Sequence, residues 1–273
     1  MMYSKKKPIV AYIAYIPYGI KYFKRFIKSY RKYKSGYYHD LIICFKGSRD
    51  QQIINKWKKK INFNFEYLID DPINDYDIGS YFRIAKKYKK RDIFFISTYS
   101  YPVKKNWLNF FFDHYDKKTF IGASGSYSSI STDLLTLSYK HPKLLQLIWG
   151  IKSLLSFKLS PNPHVRSGAF LINSNDLLSC NFNPKKFVKK IETNKFESGR
   201  KSLTNQLLKK GFKVGIINSD NKFYEINSWR ESETYGLKKQ KKLIIHDNRT
   251  LEFQKLNKKE KFIVSKKIWL DKV

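Results

Sequence analysis

The chain has 273 residues, 42% of them hydrophobic and 17% aromatic, which is enough to bury a large core and argues against a disordered chain. Its formal net charge of +33 is carried mainly by Lys residues scattered along the sequence. No helix-turn-helix, zinc-finger or RNP-type pattern accompanies them, so no specific nucleic-acid partner is expected. No apolar run approaches the roughly 20 residues of a transmembrane helix.

The N-terminal segment, residues 1–7, lacks the small-residue cleavage site of a signal peptide. We therefore expect a cytoplasmic protein, or one held peripherally on the inner face of a membrane. Cys44 and Cys180 are far apart in the sequence and are predicted to be buried thiols rather than a disulfide or a metal-binding pair.

The first half of the chain alternates short apolar runs with amphipathic helical patterns, which predicts an α/β fold with a mostly parallel sheet and helices on both faces. The predicted strands are 8–16, 40–45, 63–69, 92–96 and 120–123. Helices are predicted at 20–33, around Trp57, at 80–88 and at 107–112. Ligands of such sheets bind beyond the carboxyl ends of the strands, so the loops after these five strands are predicted to form one crevice.

The second half is less regular. Its patterns predict a helix at 143–157, a strand at 169–173, a helix at 202–210 and short strands near Val214 and Leu243. No repeat and no flexible linker interrupts the chain, so both halves are predicted to belong to one domain.

The order of motifs in the first half carries a resemblance. An acidic turn at 70–79 follows the third strand, and a polar loop, Ser97-Thr98-Tyr99-Ser100, follows the fourth, ahead of Trp107. Over about 8–125 this order resembles the nucleotide-binding half of family 2 glycosyltransferases of the GT-A type. The stretches 163–170, 196–200, 229–232 and 246–248 resemble a branch of uncharacterised bacterial glycosyltransferase-like proteins.

This resemblance implies a GT-A-like fold, with 1–125 as the nucleotide-sugar-binding half and 126–273 as an irregular acceptor-side half. It also implies a hexosyltransferase-like activity, in which a sugar moves with inversion from a nucleotide-sugar donor to a glycan or lipid-linked acceptor during surface polysaccharide biosynthesis. The alternative is a catalytically inactive GT-A-like domain that binds a glycan or a membrane partner. An anionic membrane surface is a further candidate partner, because the apolar run 144–151 is bordered by Lys; core packing of that run is the competing interpretation.

The sequence departs from the family pattern after the fourth strand. Family members usually carry an Asp-x-Asp motif there, whose carboxylates hold Mg²⁺ or Mn²⁺ against the donor diphosphate. The corresponding positions here are Ser97 to Ser100, and neutral hydroxyls do not replace two anionic ligands. A metal-independent site without a cofactor is therefore favoured over one that uses Mg²⁺ or Mn²⁺.

The predicted donor-binding residues follow from these positions: Asp77, Gly79, Ser97, Tyr99, His164, Arg166 and Arg200. The two Arg residues and His164 are expected to face the diphosphate. For Asp77 a helix N-cap is the alternative, and for Arg166 and Arg200 the alternative is pairing with carboxylates that holds loops. Three further acidic residues of the turn are predicted to be turn formers, namely Asp70, Asp71 and Asp75.

A carboxylate must take the proton of the acceptor hydroxyl as it attacks the anomeric carbon. Glu231 is the first candidate for this base and Glu197 is the second. The predicted acceptor-binding residues are Trp229, Arg230, Asp247 and Asn248. Core packing is the alternative for Trp229, and an Asx-type turn is the alternative for Asp247. The single residues His39, His114 and His141 are not expected to bind metal.

Overall fold

The computed structural model describes residues 6–70, 74–136, 142–237 and 239–270. Asp71 and His141 lie outside these ranges. The strands of the described chain are β1 (Ile9–Tyr15), β2 (Asp40–Lys46), β3 (Glu66–Ile69), β4 (Asp92–Ile96), β5 (Tyr101–Pro102), β6 (Thr119–Gly122), β7 (Gly125–Ser126), β8 (His164–Val165), β9 (Ala169–Asn173), β10 (Lys213–Ile217), β11 (Phe223–Glu225) and β12 (Ile245–His246).

The helices of the described chain are α1 (Ile20–Lys32), α2 (Gln51–Lys58), α3 (Tyr76–Lys87), α4 (Trp107–Phe112), α5 (Ile130–Leu135), α6 (Lys143–Ser153), α7 (Ser174–Leu178), α8 (Lys190–Ser198), α9 (Leu203–Lys209), α10 (Asn248–Lys255) and α11 (Lys258–Trp269). Short 3-10 helices cover Ile16–Tyr18, Pro184–Val188 and Ile226–Ser232. Within the described ranges, no helix has both the length and the apolar content that crossing a membrane requires.

Eight strands form one sheet in the order β11-β10-β6-β9-β4-β1-β2-β3. The pairs β1–β2, β2–β3, β1–β4 and β6–β10 are parallel, whereas β9 runs antiparallel between β4 and β6, and β11 runs antiparallel to β10. The predicted α/β class with a mostly parallel central sheet is confirmed. Strands β9 and β10 come from the second half of the sequence and lie in the same sheet as those of the first half.

Helices cover both faces of the sheet. In β1, Ile9, Ala11 and Ile13 point into one core layer, which contains residues of α3, α7 and α9, and the alternating residues point into the other, which contains residues of α1, α2 and α4. Because β1 is buried on both faces, its sequence is a continuous apolar run rather than an alternating one. Cys44 and Cys180 are free and buried, as predicted.

The topology opens a crevice between β1 and β4. The chain leaves β1 toward β2 on one side, while β4 lies on the other side, so the loops after β1 and β4 separate at this point. Because β9 is antiparallel, the residues that precede it reach the same edge of the sheet. The pair β5–β12 brings the segment after His246 to the loop that follows β4.

Candidate functional site

A cavity of ≈ 460 Å³ lies at the carboxyl ends of β1 and β4. Its walls combine tyrosine rings, carboxylates and cations. The tyrosines are Tyr15, Tyr18, Tyr76, Tyr81 and Tyr99. The carboxylates are Asp77, Glu197 and Asp247, and the cations are Arg166, Lys190 and Arg249. Loops after the first, third and fourth strands of the sequence contribute to the wall, as predicted, whereas the loops after β2 and β6 do not line it.

Asp77 ties the first turn of α3 to the loop after β4. Its carboxylate accepts hydrogen bonds from the Thr98 hydroxyl at 2.9 Å and from the Thr98 backbone N–H at 3.3 Å. Burial raises the pKa of Asp77, although the two bonds from Thr98 oppose that effect. The N-cap position of α3 belongs to Asp75, so the capping alternative for Asp77 is wrong.

Asp70 and Asp75 belong to a buried ion-pair network. The ammonium of Lys46, whose side chain is fully buried, contacts both carboxylates, and Asp75 is in hydrogen-bond contact with it. The guanidinium of Arg83 donates to Asp70 and, at 2.5 Å, to Asp75. The prediction that these two residues are simple turn formers is wrong, because their carboxylates neutralise cations from β2 and α3.

Gly79 makes room for this network and does not line the cavity. A Cβ at Gly79 would lie 1.9 Å from a carboxylate oxygen of Asp75. The structure therefore gives Gly79 a packing role, in contrast to the predicted contact with a donor.

The loop after β4 presents hydroxyls and an aromatic ring to the cavity. The Ser97 N–H donates to the carbonyl of Gly168, and its hydroxyl lies 2.8 Å from that of Ser100. The Tyr99 ring stacks on the ring of Tyr18 with centroids 5.3 Å apart. Tyr18 is 46% exposed, so this aromatic pair is open to a ligand.

Arg166 follows β8 and is held in a fixed position. Its guanidinium lies 2.8 Å from the carboxylate of Asp247, donates to the Ser124 hydroxyl at 3.2 Å and sits 3.9 Å from the ring centre of Tyr235. Burial works against its charge, but the neighbouring Asp247, Tyr235 and Glu197 together outweigh burial and raise the pKa of Arg166. The predicted pairing of Arg166 with a carboxylate is confirmed, and the residue also faces the cavity.

Asp247 has two partners. One carboxylate oxygen accepts from the N–H of Thr250 at 2.8 Å and so caps α10, while the other pairs with Arg166. Asn248 and Arg249, the first two residues of α10, also line the cavity. Asp247 is therefore a helix N-cap rather than an isolated Asx turn.

Glu197, on the last turn of α8, is the candidate base that lines the cavity. Its carboxylate accepts from the N–H of Ser167 at 2.7 Å and from the hydroxyl of the same residue. Burial would raise the pKa of Glu197, but the neighbouring His164 and Arg166 and the bonds from Ser167 lower it. Burial also lowers the pKa of His164, so that ring is mainly neutral at pH 7 and Arg166 supplies the fixed positive charge.

Besides Gly79, five predicted site residues do not line the cavity, namely His164, Arg200, Trp229, Arg230 and Glu231. The His164 ring is buried, and its Nδ1 lies 2.8 Å from the carbonyl oxygen of Asn162. Glu231 and Arg230 are exposed on the 3-10 helix Ile226–Ser232. Trp229 is fully buried, donates from its indole N–H to the Tyr224 carbonyl at 2.9 Å and offers no face to a sugar. Arg200 is exposed and donates to the carbonyl of Leu154, which is a loop-holding contact. The predicted convergence of all distal segments is therefore wrong for Arg200 and for the Trp229–Glu231 stretch.

The sequence did not reveal the cations at two helix starts. Lys190 begins α8, which has no side-chain cap within the described residues, and Arg249 lies in the first turn of α10. The first N–H groups of a helix have no intrahelical partner and carry partial positive charge. The start of α10 already holds the Asp247 carboxylate, so the uncapped start of α8 is the helix N-terminus at the cavity that can stabilise a further anion.

The carboxylates of the cavity do not fit a divalent cation. Asp77 is engaged by Thr98, and Asp247 is engaged by Arg166 and by the cap of α10. Across the described parts of the chain, no three His, Cys, Asp or Glu side chains come together in a metal-binding arrangement. The donor set after β4 consists of hydroxyls, which are poor replacements for the anionic oxygen ligands of Mg²⁺.

No protein-family model and no curated protein matches this sequence. Solved structures with some similarity to the chain include three glycosyltransferases. The galactosyltransferase LgtC, solved with donor and acceptor sugar analogs, is 11% identical with a TM-score of 0.47 over 77% of this chain and 73% of its own. Mouse xyloside xylosyltransferase 1 is 8% identical with a TM-score of 0.40, covering 77% of this chain and 85% of its own.

The mannosyltransferase Ktr4p from S. cerevisiae, solved with GDP, is 11% identical with a TM-score of 0.40 over 77% of this chain and 69% of its own. No residue role carries over from similarities at this level. The chemistry of the site has to follow from its own geometry.

Proposed function

We propose that this protein is a glycosyltransferase that moves a sugar from a nucleotide-sugar donor to a hydroxyl of a glycan or lipid-linked acceptor. The observation that supports it most is the composition of the cavity at the carboxyl ends of β1 and β4. That cavity joins an open aromatic pair, basic side chains beside the uncapped start of α8, and an ionised carboxylate, which are the three elements that donor binding, departure of the diphosphate and acceptor activation need.

The nucleoside of the donor binds at the aromatic end of the cavity. Tyr18 and Tyr99 offer a stacking surface for a base, and every base has a face that stacks on an aromatic ring. Asp77 lies at the same wall, where its carboxylate can accept a hydrogen bond from a ribose hydroxyl or a base N–H while it remains bound to Thr98.

The diphosphate lies toward the uncapped start of α8. Breaking the bond between the anomeric carbon and the phosphate oxygen leaves negative charge on the diphosphate, and fixed positive charge stabilises it. The Lys190 ammonium lies 5.1 Å from the centre of the Tyr76 ring, at the wall of the cavity, where it can turn toward an anion. Arg166 is already paired with Asp247, so we expect it to form a fixed part of the cavity wall and not to be the main ligand of the anion.

Glu197 accepts the proton of the acceptor hydroxyl. One of its oxygens is fixed by Ser167, and its lowered pKa keeps it ionised at neutral pH. In a direct displacement the acceptor oxygen bonds to the anomeric carbon, the bond to the diphosphate breaks, and the proton passes to this carboxylate. Such a displacement inverts the anomeric configuration, which NMR of the product would show.

The experiment uses the same substitution at two glutamates. With a donor that binds in a panel of uridine and guanosine diphosphate sugars, Glu197→Gln should lower kcat by about 10²- to 10⁴-fold and leave the donor Kd within a few-fold. Glu231→Gln, at an exposed position outside the cavity, should leave both values unchanged. A loss confined to Glu231→Gln would restore the first sequence candidate as the base.

The panel also tests the function itself. Each donor is measured for binding by thermal shift and for transfer or hydrolysis, with and without Mn²⁺. Absence of binding and turnover throughout the panel would refute the proposal. Binding without turnover by the wild-type protein would instead favour a catalytically inactive domain.

A further inference from the structure

Helix α6 directs its large apolar side chains away from the protein. Leu144 is 70% exposed, Leu147 44%, Ile148 39% and Ile151 58%, and Leu155, just beyond the helix, is 86% exposed. Their spacing follows the helical repeat, so they form one continuous stripe, here called the α6 stripe. A surface helix of a globular protein normally turns such a stripe inward.

The opposite face of α6 holds it to the protein. Gln146 and Gly150 are the buried residues of this helix. Gly150 fits closely against α5, since a Cβ there would lie 2.8 Å from the Leu135 side chain. The packing of α6 is therefore specific, and a rotation that buried the stripe would lose it. Exposed apolar patches of this kind mark interaction surfaces.

Basic residues border the stripe. Lys143 and Lys152 are exposed and, at 100° per residue, lie on opposite flanks of the line through Leu144 and Ile151. An apolar stripe with basic flanks is the pattern of a helix that lies in the plane of a membrane interface and contacts anionic lipid head groups.

We infer that the α6 stripe docks this protein onto an anionic lipid surface. A second copy of the chain is the less suitable occupant, because each copy carries a net charge of +33 and like charges repel. One helix is also smaller than the roughly 800 Å² per partner that stable protein interfaces bury. An anionic bilayer can bury the apolar stripe and also attract the positive charge of the protein.

The stripe is connected to the cavity wall. The Arg200 N–H donates to the Ser156 carbonyl at 2.7 Å, and its guanidinium donates to the Leu154 carbonyl at 2.8 Å. Arg200 directly follows the end of α8, whose residues line the cavity. Docking through α6 is therefore expected to bring the C-terminal end of α8 toward the lipid surface, whichever ligand the cavity binds.

Vesicle cosedimentation tests the inference with the full chain. Wild-type protein should bind vesicles of phosphatidylcholine containing phosphatidylglycerol more strongly than vesicles of phosphatidylcholine alone. The double variant Leu144→Gln, Ile151→Gln should lower the partition coefficient for anionic vesicles by about tenfold or more. Ile53→Gln on α2, which is 37% exposed and lies outside the stripe, is the matched control and should bind as wild type.

Circular dichroism and thermal unfolding check that the double variant is folded, which its exposed positions favour. Equal binding of the double variant and the wild type would overturn the inference, because net charge alone would then explain the attachment. Failure of the wild type to bind anionic vesicles would also overturn it. So would a wild-type dimer in analytical ultracentrifugation that the double variant converts to a monomer, since a second copy would then cover the stripe.

Discussion

Gly79→Ala tests the packing role of the glycine in the acidic turn. A methyl group there would overlap the Asp75 carboxylate, which lies 1.9 Å from the Cβ position, so that carboxylate has to move. It is held in place by Lys46, whose side chain is fully buried, and by Arg83, whose side chain is 35% exposed. Displacing it leaves the Lys46 ammonium with a single carboxylate neighbour, Asp70, at 3.6 Å.

The magnitude follows from two opposing contributions. Alanine in place of glycine inside a helix stabilises by about 1 kcal/mol. Removing one partner from a buried ion pair costs about 3–5 kcal/mol, and the exposure of Arg83 and the remaining Asp70 lower that figure. We expect Gly79→Ala to lower the free energy of unfolding by about 2–3 kcal/mol, which urea denaturation followed by circular dichroism measures.

A double-mutant cycle isolates the cause. Asp75→Ala removes the carboxylate that the new methyl group would strike. In that background Gly79→Ala should be neutral or stabilising by up to about 1 kcal/mol. An equal loss in both backgrounds would refute the reasoning. Nucleotide affinity of folded Gly79→Ala protein should stay within about threefold of wild type, because Gly79 does not line the cavity; a large loss would support the donor contact predicted from the sequence.

Three further predictions concern the cavity. Burial raises the pKa of Asp77, so its ionised form destabilises the fold, and Asp77→Asn should raise Tm at pH 7. This gain in Tm should shrink as the pH falls through the raised pKa toward 3.8, because wild-type Asp77 then becomes protonated. Thermal unfolding from pH 8 to pH 4 measures it. Tyr18→Ala should weaken nucleotide binding by about tenfold in calorimetry, whereas Tyr38→Ala, at an exposed ring outside the cavity, should not. Arg166→Lys should destabilise by about 1–3 kcal/mol in urea denaturation, and Arg249→Lys, at an exposed side chain, by less than about 0.5 kcal/mol.

The sequence predicted the sheet well because its strands carry a strong local signal. A strand buried on both faces is a continuous apolar run, as in β4, whose residues Asp92–Ile96 match the prediction. Helices α8 and α11 were missed because their apolar residues follow the helical period weakly. The start of α11 is fixed instead by reciprocal bonds between Asn257 and Glu260, which lie three residues apart.

Site residues were predictable where they follow a strand directly. Ser97 and Tyr99 come after β4 and do line the cavity. The role of Trp229 was not predictable, because its ring is enclosed by Tyr127 and Gly125, about 100 residues earlier in the chain. The acidic turn was misread for the same physical reason, since the cations that bind its carboxylates come from other elements and only the folded chain brings them together.

The charge of the cavity differs from that of the whole molecule. This difference indicates that the cavity and the α6 stripe recognise their ligands in different ways. The chain carries a net charge of +33, yet the cavity balances three carboxylates with three basic side chains. An anionic ligand in the cavity is therefore expected to be recognised through placed groups, such as Lys190 and the start of α8, rather than through bulk charge. At the α6 stripe, by contrast, the flanking Lys143 and Lys152 add to the positive charge of the whole surface. They attract an anionic surface without requiring one ligand geometry. Three carboxylates beside the cations of the cavity would weaken adhesion to anions in general, so their presence favours a ligand that is recognised by geometry.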